Sequence, residues 1–138
     1  SGWRLTGAGC IDGSNPGNIT LTAGRDLTCT FANTKGGNLA VVVNTTDGNG
    51  AFGFTSTALG DFSITTSGGT GQKSFANLAP GVYDLNEVVT SGWDLGAATC
   101  SNGSNPASVS VAAGETVSCT FENSAHSRNL YFPIIGKR

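Results

Sequence analysis

The chain says one thing twice. Residues 1–34, SGWRLTGAGCIDGSNPGNITLTAGRDLTCTFANT, and residues 91–124, SGWDLGAATCSNGSNPASVSVAAGETVSCTFENS, align without a gap, and about half of the aligned positions are identical. Trp3 answers Trp93, Cys10 answers Cys100, Cys29 answers Cys119 and Phe31 answers Phe121. A repeat with the period of one small β-domain implies an array of modules rather than one enzyme-sized body. The second copy is preceded by a stretch long enough to complete a two-sheet core, and the first is not. Residues 1–34 therefore read as the last part of a module, residues 35–124 as a complete one and residues 125–138 as a tail.

Hydrophobic spacing supports strands throughout. In the first copy Ile19 and Leu21 alternate with polar neighbours, as do Leu27, Cys29 and Phe31. This is the period-two pattern of half-buried strands, and it predicts three, over residues 3–10, 18–23 and 26–33. Breakers separate them, Asp12-Gly13-Ser14-Asn15-Pro16 and Ala23-Gly24. Residues 34–37, TKGG, read as a short link. The middle stretch continues with strands over residues 39–46, around Phe52 and Phe54, around Phe62 and Ile64, over 73–78 and over 82–89. Short strands about ten residues apart, with no helical period, predict an all-β, antiparallel Greek-key sandwich.

The composition narrows the function. Only 12% of residues are charged and the formal net charge is −2, so nothing suggests a basic groove and nucleic acid is not an expected partner. The four cysteines form two pairs with the same internal spacing, Cys10 with Cys29 and Cys100 with Cys119. Identical pairs in identical repeats imply one disulfide per copy and an oxidising compartment. A four-thiolate metal site fits less well, because neither pair has CxxC spacing and no histidine is near. Each disulfide closes a loop worth about 3 kcal/mol on the chain-entropy account. No signal peptide or membrane span is visible, so the chain reads as exported material whose signal has been removed. No nucleophile–base pair, metal cluster or phosphate loop can be assembled, so no catalytic residue, metal or cofactor is expected. His126, the single histidine, reads as a solvated spacer residue.

Residues 77–87, NLAPGVYDLNE, are followed by Gly92-Trp93 and the closing CTFEN. This set resembles the prealbumin-like modules of bacterial surface proteins, the CnaB/SpaA-like group of adhesin stalks and pilus subunits, over residues 36–124, with residues 1–34 as a partial repeat. The resemblance implies a structural, extracellular module. Members often carry an isopeptide bond from a Lys on the first strand to an Asn on the last, assisted by a Glu. The Glu maps to Glu87 and the Asn to Asn123, but the Lys position maps to Asn44. An amide cannot replace the amine nucleophile, and neither Lys35 nor Lys73 fits by spacing. The expectation is a remnant polar cluster of Asn44, Glu87 and Asn123 without the bond. Two environments for Glu87 stay open: buried among the apolar partners of Tyr83 and Leu85, or at a strand end reaching solvent.

Residues 129–135, NLYFPII, are the most apolar run. They are too short to span a bilayer. Leu130, Phe132 and Ile134 fall on one side of an extended strand, and Pro133 suits an edge position. With Tyr131 and Ile135 they are the candidate subunit contacts, able to add as a donor strand to an open edge. The partial module has three ways to be satisfied: by further chain upstream, by its own complete module or by another subunit. The leading expectation is a non-enzymatic surface-filament or stalk subunit that contacts other copies of itself head to tail. The alternative is an adhesin module that binds a glycan or a host protein.

Overall fold

The structure, a computed structural model, describes residues 2–126. The strands in chain order are β1 (Trp3–Cys10), β2 (Cys29–Lys35), β3 (Gly37–Thr46), β4 (Ala51–Thr55), β5 (Phe62–Thr65), β6 (Thr70–Leu78), β7 (Gly81–Tyr83), β8 (Asn86–Glu87), β9 (Trp93–Cys100), β10 (Val109–Val111) and β11 (Thr116–Ala125). One layer of the sandwich is a four-stranded sheet in the order β6-β3-β11-β9. The other is built from β5-β4-β8 and the short pair β10-β7.

The alternation in the sequence sets which faces meet. Leu39, Val41 and Val43 of β3 and Val117, Cys119, Phe121 and Asn123 of β11 all point inward and are buried. Phe52, Phe54, Ile64, Tyr83, Leu85, Val109 and Val111 close over them from the opposite layer. Each aliphatic side chain so buried contributes about 1.5–3 kcal/mol. Phe54 is the centre of the aromatic packing: its ring stacks on Phe62 at 5.1 Å and meets Phe121 edge-on at 5.0 Å. Trp93 packs edge-on against Phe52 at 5.1 Å. Gly50 passes beneath the indole, and a Cβ there would fall 3.1 Å from Trp93 Nε1.

Pairing is antiparallel except between the first and last strands of the sandwich. β3 and β11 run parallel in unbroken register, from Thr116 opposite Asn38 to Ser124 opposite Thr46. A parallel pair needs a long crossover between its strands, and nearly the whole module supplies it. The segment expected as one strand over residues 82–89 is divided. β7 pairs with β10, whereas β8 pairs with β4, so the chain passes between sheets at Asp84 and Leu85. Asp84 anchors the crossing by accepting from the Thr57 N–H at 2.9 Å and the Thr57 hydroxyl at 3.0 Å. The Tyr83 hydroxyl donates to Ala79 O.

The first copy departs from expectation in one respect. β1 and β2 form a hairpin, but residues 19–22 and 26–28 make no ladder. The counterparts of residues 19–21 and 26–28 in the second copy are strand because β7 and β3 lie beside them. Without a neighbour to receive its backbone groups, an extended segment has nothing to pair with. The hairpin joins the sandwich through Gly36, whose N–H donates to Gly2 O at 2.7 Å. A Cβ on Gly36 would fall 2.8 Å from Asn77 Cα, so only glycine lets the two backbones approach this closely. Arg4 Nη1 donates to Asn77 O at 2.9 Å across the same junction.

Candidate functional site

Both disulfides are formed, Cys10–Cys29 and Cys100–Cys119. Each ties a directly opposed cross-strand pair. Each therefore fixes the register of the hairpin it closes.

The polar cluster resolves into a pair. Asn123, 3% exposed, donates from Nδ2 to Glu87 Oε2 at 2.8 Å. Glu87 is half-buried at the end of β8, following the buried Tyr83 and Leu85. Desolvation pushes its carboxyl above the usual value, and the hydrogen bond from Asn123 partly offsets this. Asn44 takes no part. Its Nδ2 donates to Glu122 Oε2 at 3.0 Å, and its Oδ1 accepts from the Thr70 hydroxyl at 3.0 Å. The reason is phase: Leu39, Val41 and Val43 face inward, so Asn44 points to the other side of the sheet. The inward neighbour of Asn123 on β3 is Thr45. The lysines stand elsewhere, Lys73 over the Phe75 ring and Lys35 against Gly114. No amine meets the Glu87–Asn123 pair among the described residues, so the pair acts as a hydrogen-bonded lock between β8 and β11.

The second feature is an edge. The β1–β2 hairpin reproduces β9–β11 position for position. Trp3 lies opposite Lys35 as Trp93 lies opposite Ala125, and Cys10 opposite Cys29 as Cys100 opposite Cys119. Both hairpins are bulged at the same place, between Leu5 and Gly7 in one and between the partners of Phe121 and Asn123 in the other. The far edge of β11 is filled by β3. The far edge of β2 has no strand beside it among the described residues.

The apolar face of the hairpin is uncovered to match. Phe121 is 2% exposed but Phe31 57%, and Val111 is 1% exposed but Leu21 61%. An open groove of about 670 Å³ lies along this face, lined by Leu5, Ala8, Cys10, Pro16 and Phe31. In the second copy, Ala98, Cys100 and Phe121 at the matching positions pack into the core, and Pro106 O accepts from the Leu85 N–H at 2.8 Å.

The remaining expected contacts, Leu130, Tyr131, Phe132, Ile134 and Ile135, lie outside the described residues. His126 is exposed, with Nε2 3.0 Å from Asp94 Oδ1. Among the described residues no group of His, Cys, Asp and Glu could hold a metal ion. Among the described residues no helix is long and apolar enough to cross a membrane. Asp84 and Trp93 matter more to the geometry than sequence reading assigns them.

The complete copy is a two-layer β-sandwich whose first and last strands pair in parallel and whose β9 and β11 are joined by a cross-strand disulfide, an architecture consistent with a prealbumin-like module. The family comparison agrees: residues 39–125 match the SpaA-type prealbumin-like fold domain, and the chain belongs to that family. A search of curated proteins finds no match to the chain.

Proposed function

We propose that the chain is a non-enzymatic, extracellular structural protein whose copies join head to tail through β-edges into a surface filament or stalk. One observation carries this reading. The same hairpin, in the same register, is built twice, once with its outer edge filled by β3 and once with that edge and its apolar face uncovered among the described residues. An open apolar edge is a template for pairing with another chain. Complementary surfaces at opposite ends of a molecule propagate into a polymer unless they close a ring. The disulfides suit an oxidising, extracellular setting, and membership of the SpaA-type family suits a bacterial surface.

The test is electron microscopy together with light scattering of the purified full chain over a range of concentrations. Concentration-dependent linear assemblies are expected. A chain that stays monomeric and binds a glycan or a host protein along the Phe31 groove would instead support the adhesin reading.

A further inference from the structure

We propose that the complete module bears tension along the chain: the parallel β3–β11 ladder carries the load in shear, and the Cys100–Cys119 disulfide holds β11 in place while it does so. This supplies the mechanics of the stalk proposed above. It is a property of a single copy, however, so it can fail while assembly succeeds and hold where assembly fails.

The load path follows from the topology. The chain enters the sandwich at Gly37, the start of β3, and leaves it at Ala125, the end of β11. These two strands are direct neighbours. A pull on both ends of the module therefore passes from β3 straight into β11. The β5-β4-β8 sheet and the β10-β7 pair lie off this path. The first copy delivers its load without slack, since the single residue Gly36 separates β2 from β3.

Strand direction decides how the ladder is loaded. β3 and β11 run parallel and in register over nine consecutive positions, from Asn38 beside Thr116 to Thr46 beside Ser124. The entry point is thus at one end of the ladder and the exit at the other, about 30 Å apart at the usual rise per strand residue. Tension draws β3 toward its start and β11 toward its end, so the two are driven past each other along their length. Hydrogen bonds in a parallel pair are evenly spaced, and sliding strains all of them together. Had the last strand run antiparallel to the first, entry and exit would be adjacent. The same pull would then open the ladder one pair at a time.

The surroundings oppose the same motion. β3 and β11 are the central pair of their sheet, flanked by β6 and β9. Leu39, Val41 and Val43 on one strand and Val117, Cys119 and Phe121 on the other are buried, so any slip moves them against close-packed neighbours. Near the exit, Asn123 is tied to Glu87 of the opposite layer at 2.8 Å. Cys119 lies within β11 and is bonded to Cys100 of β9. β11 therefore cannot slide without carrying β9 with it, and the slip has to occur between β3 and β11.

The experiment is single-molecule force spectroscopy on the full, oxidised chain, with handles carried by non-standard residues at exposed positions. Handles at Lys35 and Ser124 load the ladder in shear. Handles at Thr46 and Ser124, which face each other at one end of it, peel it open. All three positions are exposed. At the same loading rate, the force that ruptures the module in shear is expected to be several-fold above the peeling force. The shear event should release about 21 nm of chain, because the disulfide keeps residues 101–118 from extending. A reductant should lower the shear force and lengthen the event by about 6 nm. Equal forces in the two geometries would overturn the shear ladder. A shear force that the reductant leaves unchanged would overturn the role given to the disulfide.

Discussion

Residues 3–35 and 93–125 are the same hairpin in two situations. Strand pairing, bulge and disulfide coincide. What differs is company. Where β3 and β7 are present, the turn-separated segments beyond the hairpin become β10 and the start of β11, and an apolar face disappears into the core. Beside the first copy no strand takes those places among the described residues, the corresponding residues 19–22 and 26–28 form no ladder, and the same face is exposed. The comparison separates two levels of specification. Local pairing and a disulfide suffice to set a hairpin, whereas a strand at the margin of a sheet exists only if its neighbour does.

The sharpest way to break the comparison is to delete the same ring from each copy. Phe121→Ala removes a buried side chain packed on Phe54 and should lower the stability of the sandwich by about 3–5 kcal/mol. Phe31→Ala removes an exposed one and should change the stability of a monomeric sample by less than about 0.5 kcal/mol. Chemical denaturation of both variants at low protein concentration decides this. Equal losses would mean that the Phe31 face is covered in solution.

Disulfide removal should give the next largest difference. Cys100→Ala with Cys119→Ala should cost the sandwich about 3 kcal/mol, the loop-closure contribution. The equivalent change at Cys10 and Cys29 should leave the main unfolding transition in place. It should instead accelerate amide exchange along β1 and β2, since the hairpin has little packing to hold it once the cross-link is gone. One shared transition for both pairs would show that the hairpin folds cooperatively with the sandwich.

A smaller effect belongs to the complete copy alone. Burial holds the Glu87 carboxyl above its ordinary value of 4.5, so the native state binds this proton more strongly than the unfolded chain. The associated stability is full below that ordinary value and is lost as the pH rises through the raised one. Glu87→Gln should therefore flatten a decline in stability on going from about pH 4.5 toward neutrality, measured by denaturant titration across that range. Asp84 works in the opposite sense. The Thr57 N–H holds its carboxyl below 3.8, so its contribution is lost as acid protonates it, and the two slopes occupy separate pH windows. Intact mass provides a further check: with Thr45 rather than a lysine beside Asn123, no ammonia should be missing from the chain.

The side of β3 on which Asn44 falls was legible all along in the odd-numbered phase of Leu39, Val41 and Val43. A family position placed Asn44 with Glu87; the two-residue period places it with Glu122. The split between β7 and β8 was not legible, because Tyr83, Leu85 and Glu87 keep one alternation while the backbone changes sheets. The parallel β3–β11 pair was hidden as well. Periodicity shows which face of a strand is apolar but not which strand lies beside it or in which direction that strand runs.

By itself the sequence determined the module, its strand periods, both disulfides and the inward faces of β3 and β11, because these depend on residue spacing along one chain. The tertiary structure alone decided that two stretches with the same strand pattern would differ. A β-strand's hydrogen bonds are made with another strand, so whether residues 19–22 or 109–111 become sheet depends on what stands next to them and not on their own side chains.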